Sequence, residues 1–170
     1  MNLRTLPGLA VAVVLTVADA IAAPLNLEIT SERRRFTVEK QQTESTNSSS
    51  EKWGYKVVLT NKEFKAVASL DIVYRVYKVD ESRHTTAGKL IATPGSVAIA
   101  SLKPSEKFTF NTEPVLLNSS SIKGGWVYTD KGKSKVEDSV AGLWIRVMQG
   151  GIVVFEHIKP PTLKNKATWE

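Results

Sequence analysis

Residues 142–155 read Gly142-Leu143-Trp144-Ile145-Arg146-Val147-Met148-Gln149-Gly150-Gly151-Ile152-Val153-Val154-Phe155. Leu143, Ile145 and Val147 alternate with Trp144, Arg146 and Met148. A period of two marks a strand with unlike faces. The β-branched run Ile152 to Phe155 follows across Gln149-Gly150-Gly151, and two such runs joined by a glycine-bearing turn predict a β-hairpin.

The same pattern extends outward from this hairpin. Leu25, Leu27 and Ile29 alternate with Asn26, Glu28 and Thr30, so an opening strand is expected, continued in extended form by Arg33-Arg34-Arg35-Phe36-Thr37-Val38. Tyr55, Val57 and Leu59 alternate with polar or small neighbours and give a second strand, begun by Trp53, which is expected to close one end of the core. That strand ends in a turn at Asn61-Lys62-Glu63. Leu70, Ile72, Tyr74 and Val76 form a third, whose opposite face is also largely apolar, as expected of a central strand. Strands are further expected at Lys89–Ala92 and Ser96–Leu102, broken by Pro94-Gly95, and around Phe108 and Phe110 after the turn Pro104-Ser105-Glu106.

Between these strands the polar stretches read as connections. Gln41–Ser50 has no apolar residue and predicts a mobile loop. Val79–Gly88 predicts an exposed connection, and Glu113–Asp138 is the longest irregular segment. Asn47-Ser48-Ser49 and Asn118-Ser119-Ser120 match the glycosylation sequon and are read as polar loop residues. The basic tail from Lys164 to Glu170 shows no pattern. About seven short strands without a helical stretch predict an all-β fold, an immunoglobulin-like sandwich of two antiparallel sheets, with a barrel as the alternative.

The N-terminus has the order of a secretory signal peptide. Arg4 precedes an uncharged apolar run from Leu9 to Val17 and the small residues Ala18, Ala20, Ala22 and Ala23. That run is shorter than the ~20 residues of a bilayer span. Residues 1–22 are expected to be removed, leaving residues 23–170 as one domain with no membrane span, in the periplasm, on the outer cell surface or outside the cell. Removal takes away Arg4 and Asp19, one cation and one anion, so the net charge stays at +6. The chain has no cysteine, so its core alone must hold it together, without the disulfides common in small exported domains. A moderate positive charge outside the cytoplasm keeps a domain soluble and attracts anionic envelope polymers or glycans in a salt-dependent way.

Chemistry finds little support in the residues. His84 and His157 are the two histidines, and neither stands in a His-x-x-x-His or Cys-x-x-Cys spacing, so no zinc site is expected. Asp130, Glu137 and Asp138 lack the order of a calcium loop and read as a solvated loop. There is no Gly-x-Ser-x-Gly elbow, no phosphate-binding glycine loop and no cysteine nucleophile. No catalytic, metal or cofactor-binding residue is therefore expected, and the chain is read as a non-enzyme. Trp144 is either a core plug or an exposed platform. Trp126 and Tyr128, two residues apart, would share one side of an extended segment; such a pair either packs on the sheet or stacks a sugar ring. The basic stretches Arg33-Arg34-Arg35 and Lys123, Lys131, Lys133, Lys135 lack interleaved aromatics, and export argues against a nucleic-acid partner.

The run Tyr55 to Tyr77, with its Leu59-Thr60-Asn61-Lys62 turn and Leu70-Asp71-Ile72-Val73-Tyr74-Arg75-Val76-Tyr77 strand, together with Gly142 to Val147 and the Gly150-Gly151 hairpin, resembles exported Ig-like proteins of Verrucomicrobia. It is similar to the Ig-like protein of the type IV pilus gene cluster of Akkermansia-type bacteria. That resemblance implies an immunoglobulin-like sandwich, a place in or outside the envelope, self-association and no catalytic residues. The N-terminus departs from it, since a cleaved signal without a long apolar helix is unlike a type IV pilin. Together these readings predict a structural or interaction module that binds a protein partner or itself through an edge strand, for which Leu25–Val38 and the C-terminal hairpin are the candidates.

Overall fold

The computed structural model describes residues 24–84, 87–124, 126 and 132–169. Nine strands lie among them: β1 (Leu27–Gln42), β2 (Thr46–Asn61), β3 (Val67–Asp80), β4 (Lys89–Leu102), β5 (Lys107–Asn111), β6 (Val115–Ile122), β7 (Lys135–Glu137), β8 (Ser139–Gln149) and β9 (Ile152–Lys159), followed by a 3₁₀ turn, Pro161–Asn165. They form two antiparallel sheets. One runs β1-β2-β6-β7, with β5 also paired to β2; the other runs β4-β3-β8-β9. The sandwich read from the sequence is the fold, with nine strands in place of seven.

The alternating apolar positions become the core. Val57, Leu59, Ile72, Val76, Leu143, Ile145 and Val147 are wholly buried between the two sheets. Gly150 and Gly151 both take positive φ, 59° and 81°. Such angles suit the two-residue hairpin turn between β8 and β9, whose twist matches that of the strands.

Both β3 and β8 bury both faces. On the side away from the main core, Tyr77 and Trp144 form a second cluster with Leu163 and Ala167 of the C-terminal segment. Trp144 is therefore a plug, 4% exposed, but for this outer layer and not for the space between the sheets. The tail that showed no pattern covers it: the Tyr77 hydroxyl donates to the Thr168 carbonyl at 2.8 Å, and Trp169 packs against the cluster.

Four further expectations are corrected. Gln41–Ser50 is not a loop. It forms the ends of β1 and β2, joined by a short turn in which the Thr46 amide donates to the Thr43 hydroxyl at 3.0 Å. Serine and asparagine are poor strand formers, but β2 is flanked by β1 and β6 here, and pairing on both sides overrides propensity. The segment Glu113–Asp138 contains β6 and β7, so both sequon stretches, at 47–49 and 118–120, lie in strands.

Likewise β4 passes through Pro94-Gly95 unbroken. An edge position tolerates a proline, and Gly95 is needed because the Tyr74 ring occupies the space a side chain would take. Finally, Trp53 lies within β2, not at its start, and packs half-buried against the main core.

Candidate interaction surface

Two long strands and one shorter one stand at sheet edges. β1 with 16 residues, β4 with 14 and β9 with 8 each have one neighbouring strand among the described residues. The two edges expected from the sequence, β1 and the C-terminal hairpin, are thus sheet edges, the hairpin through β9. β4 is a third edge that the sequence reading did not single out.

β1 and β9 meet near one another. The Lys159 ammonium donates to the Ser31 carbonyl at 2.6 Å, and the Ser31 hydroxyl lies 3.3 Å from His157 Nε2. Burial, and then the neighbouring Lys159 charge, holds the His157 imidazole below its ordinary pKa. Beyond Ser31 the edge of β1 carries Arg33, Arg34 and Arg35, then a bulge between Arg35 and Thr37. Phe36, at the bulge, is 43% exposed and lies over Gly54, where a side chain would meet the ring 2.8 Å away.

Two of the three arginines are held by an aromatic ring. The guanidinium carbons of Arg33 and Arg35 stand 4.2 and 5.8 Å from the Trp53 centroid, and the indole N–H donates to Glu51 at 2.7 Å. Trp53, Arg33, Glu51, Ser49, Ser119 and Glu137 line a shallow cleft of about 190 Å³. Since Arg33 stacks on the indole, the ring is not a free platform.

Past this cleft, β1, β2 and β6 continue as a polar arm. Ser49 stands opposite Ser119 and Ser48 opposite Ser120. The Ser49 and Ser119 hydroxyls are 2.8 Å apart, and the Ser50 hydroxyl donates to Asn118 Oδ1 at 3.1 Å.

Asp138 corrects the solvated-loop reading. It is 7% exposed and accepts the backbone N–H groups of Glu81 and Asn118, each at 3.0 Å. Lys78 lies 3.6 Å from its carboxylate. The residue pins the start of the β3–β4 connection to β6, a structural task. Asp130 lies outside the described residues. Among the described residues no group of histidine and carboxylate side chains could hold a metal ion.

Of the aromatic pair expected to bind a ligand, Trp126 is 56% exposed, and Tyr128 lies outside the described residues. Among the described residues no helix is long and apolar enough to cross a membrane.

No family model matches the chain, and no curated protein matches it. Solved structures similar to it include the following two. A crystal structure from Akkermansia muciniphila shares 10% identity, covering 85% of this chain and 79% of its own, with a TM-score of 0.33. The X-ray structure of a Northeast Structural Genomics Consortium target, SoR45, shares 9% identity, covering 81% and 88%, with a TM-score of 0.34. Likenesses of this size carry no argument about function.

Proposed function

We propose that this chain is an exported, non-catalytic interaction module of the cell envelope that binds a protein partner or itself by strand addition at a sheet edge. The observation that carries this reading is the length of the open edges, above all β1, whose side away from β2 has no partner strand among the described residues. An open edge presents unpaired N–H and C=O groups to which another chain can add a strand. The signal-like N-terminus supports export, and a place beside pili rests on the sequence resemblance alone.

Photo-crosslinking tests the reading. A benzoylphenylalanine placed at Val38, exposed on β1, or at Val153, exposed on β9, should give a discrete protein adduct in the exporting cell. No adduct from either site, together with a monomer at every concentration, would remove the reading.

A second reading is a carbohydrate-binding module that uses Trp126 and Tyr128. The exposure of Trp126 favours it, since a ring facing solvent can stack a pyranose. Unchanged glycan binding after Trp126→Ala would end it.

A further inference from the structure

The three edges differ in chemistry. β1 carries Arg33, Arg34, Arg35, Glu39 and Lys40 and is interrupted by the bulge at Phe36. β9 is short, bulged against β8 between Val147 and Met148, and carries Glu156 and Lys159. Charges and bulges are the devices by which sheets keep their edges from pairing. β4 lacks them. From Leu90 to Leu102 it has no ionisable side chain, and its one device is Pro94. The stretch Ser96-Val97-Ala98-Ile99-Ala100-Ser101-Leu102 has no charge, no proline and no glycine, the composition of segments that pair with their own kind.

We infer that β4 is a self-association edge, at which a second copy of this chain adds its own β4 antiparallel to form one sheet continuous across two molecules. This rests on the reading of the domain as an interaction module and names its partner.

Charge selects the occupant. The chain carries +6, so two copies repel wherever their cations meet, and the uncharged edge is where they can approach at least electrostatic cost. An acidic partner would find its complement on β1, not here.

Side-chain order supports a two-fold axis at Ala98. In that register Ala98 faces its own copy. On the outer side exposed Ser96 faces exposed Ala100. On the core side Val97 faces Ile99, both already packed on the main core, so small groups meet small and branched groups meet branched. The pairing ends where Pro94, which has no N–H, stands against Leu102. An isologous contact of this kind closes at two copies.

A chain without cysteine allows a clean test on residues 23–170. In light scattering from about 1 µM to about 1 mM, the protein should pass from monomer to dimer, with a midpoint that shifts less than about twofold between ~0.05 and ~0.5 M salt, because no charges face across the seam.

The double variant Ser96→Lys with Ala100→Lys sets four ammonium groups against one another at exposed positions. It should remain monomeric with an unchanged melting temperature. Single-cysteine Ala98→Cys should oxidise to a covalent dimer, since directly opposite Cβ atoms lie ~5 Å apart, whereas Thr37→Cys on β1 should not.

A wild type that stays monomeric throughout overturns the inference. So does a dimer that the lysine pair leaves intact. If instead that dimer is broken by Arg34→Glu on β1 or strengthened by salt, self-association uses the basic edge, and the interaction-module reading stands while this inference falls.

Discussion

The indole rings of Trp144 and Trp169 meet edge to face, with centroids 5.6 Å apart and planes at 64°. Arg146 lies 4.4 Å and Arg75 5.2 Å from the Trp169 ring, so Trp169 is held by an aromatic partner and two cations. Glu156 accepts from the Trp144 indole and from Arg146, both at 2.9 Å. Burial opposes ionisation of Glu156, but these bonds and the charges of Arg146 and Lys164 outweigh it and hold the carboxyl below its ordinary range. Replacing Trp169 by alanine should cost about 1–3 kcal/mol and shift the fluorescence of Trp144 to the red. Chemical denaturation with tryptophan emission as the probe checks both.

Asp138→Ala should destabilise far more than its place in a polar sequence suggests. It would leave Lys78, 16% exposed in its side chain, and two backbone N–H groups without the carboxylate. Lys78 keeps Asp80 at 3.0 Å, so the loss is that of stranding the two backbone donors, about 1–3 kcal/mol each. Asp138→Asn keeps an acceptor oxygen and should lose less. Thermal melts of the two variants against wild type give the order.

Gly95→Val should lower stability by about 1–3 kcal/mol, since the new side chain must displace the Tyr74 ring. Tyr74 cannot yield freely, because its hydroxyl accepts the Glu113 N–H at 2.9 Å and its ring lies 5.7 Å from Phe110. Gly95→Val combined with Tyr74→Ala should recover part of the loss of the single variants, which a double-mutant cycle measures.

His157 gives a pH dependence of known sign. Its folded pKa lies below the ordinary 6.5, so the unfolded chain takes up the proton first. Stability is whole above about 6.5, declines as pH falls through the folded value and levels off below it, with a slope of no more than about 1.4 kcal/mol per pH unit for one proton. His157→Gln should flatten that portion of the curve in denaturant titrations between about pH 7.5 and 5.

The sheets were legible wherever burial imposed a period of two, as along Tyr55 to Leu59, Leu70 to Val76 and Leu143 to Val147. They were not legible where strands lack a buried face. Asn47 to Ser50 and Asn118 to Ser121 are held extended by their neighbours on either side, information that no local window contains. The tail was opaque for a related reason: Leu163, Ala167 and Trp169 acquire a pattern only when set against Trp144 on a distant strand. Asp138 was misread because its acidic neighbours suggested solvent, while its partners Lys78, Glu81 and Asn118 come from two other parts of the chain. The edge role of β4 had a signal in the sequence, the absence of charge from Leu90 to Leu102, that only the strand order makes meaningful.

The serine-faced arm has a bearing on how such a domain can diversify. β1 and β2 are single strands that run from the core, at Leu27 and Leu59, out to a hairpin built mainly of serine, threonine, asparagine and glutamine. Substitutions near Ser48 therefore disturb little packing, whereas Ser120 accepts from Arg83 at 2.7 Å and Val57 is wholly buried. One sheet thus joins a frame fixed by packing to an arm held by hydrogen bonds, so the polar surface of the arm can be redesigned without repacking the sandwich.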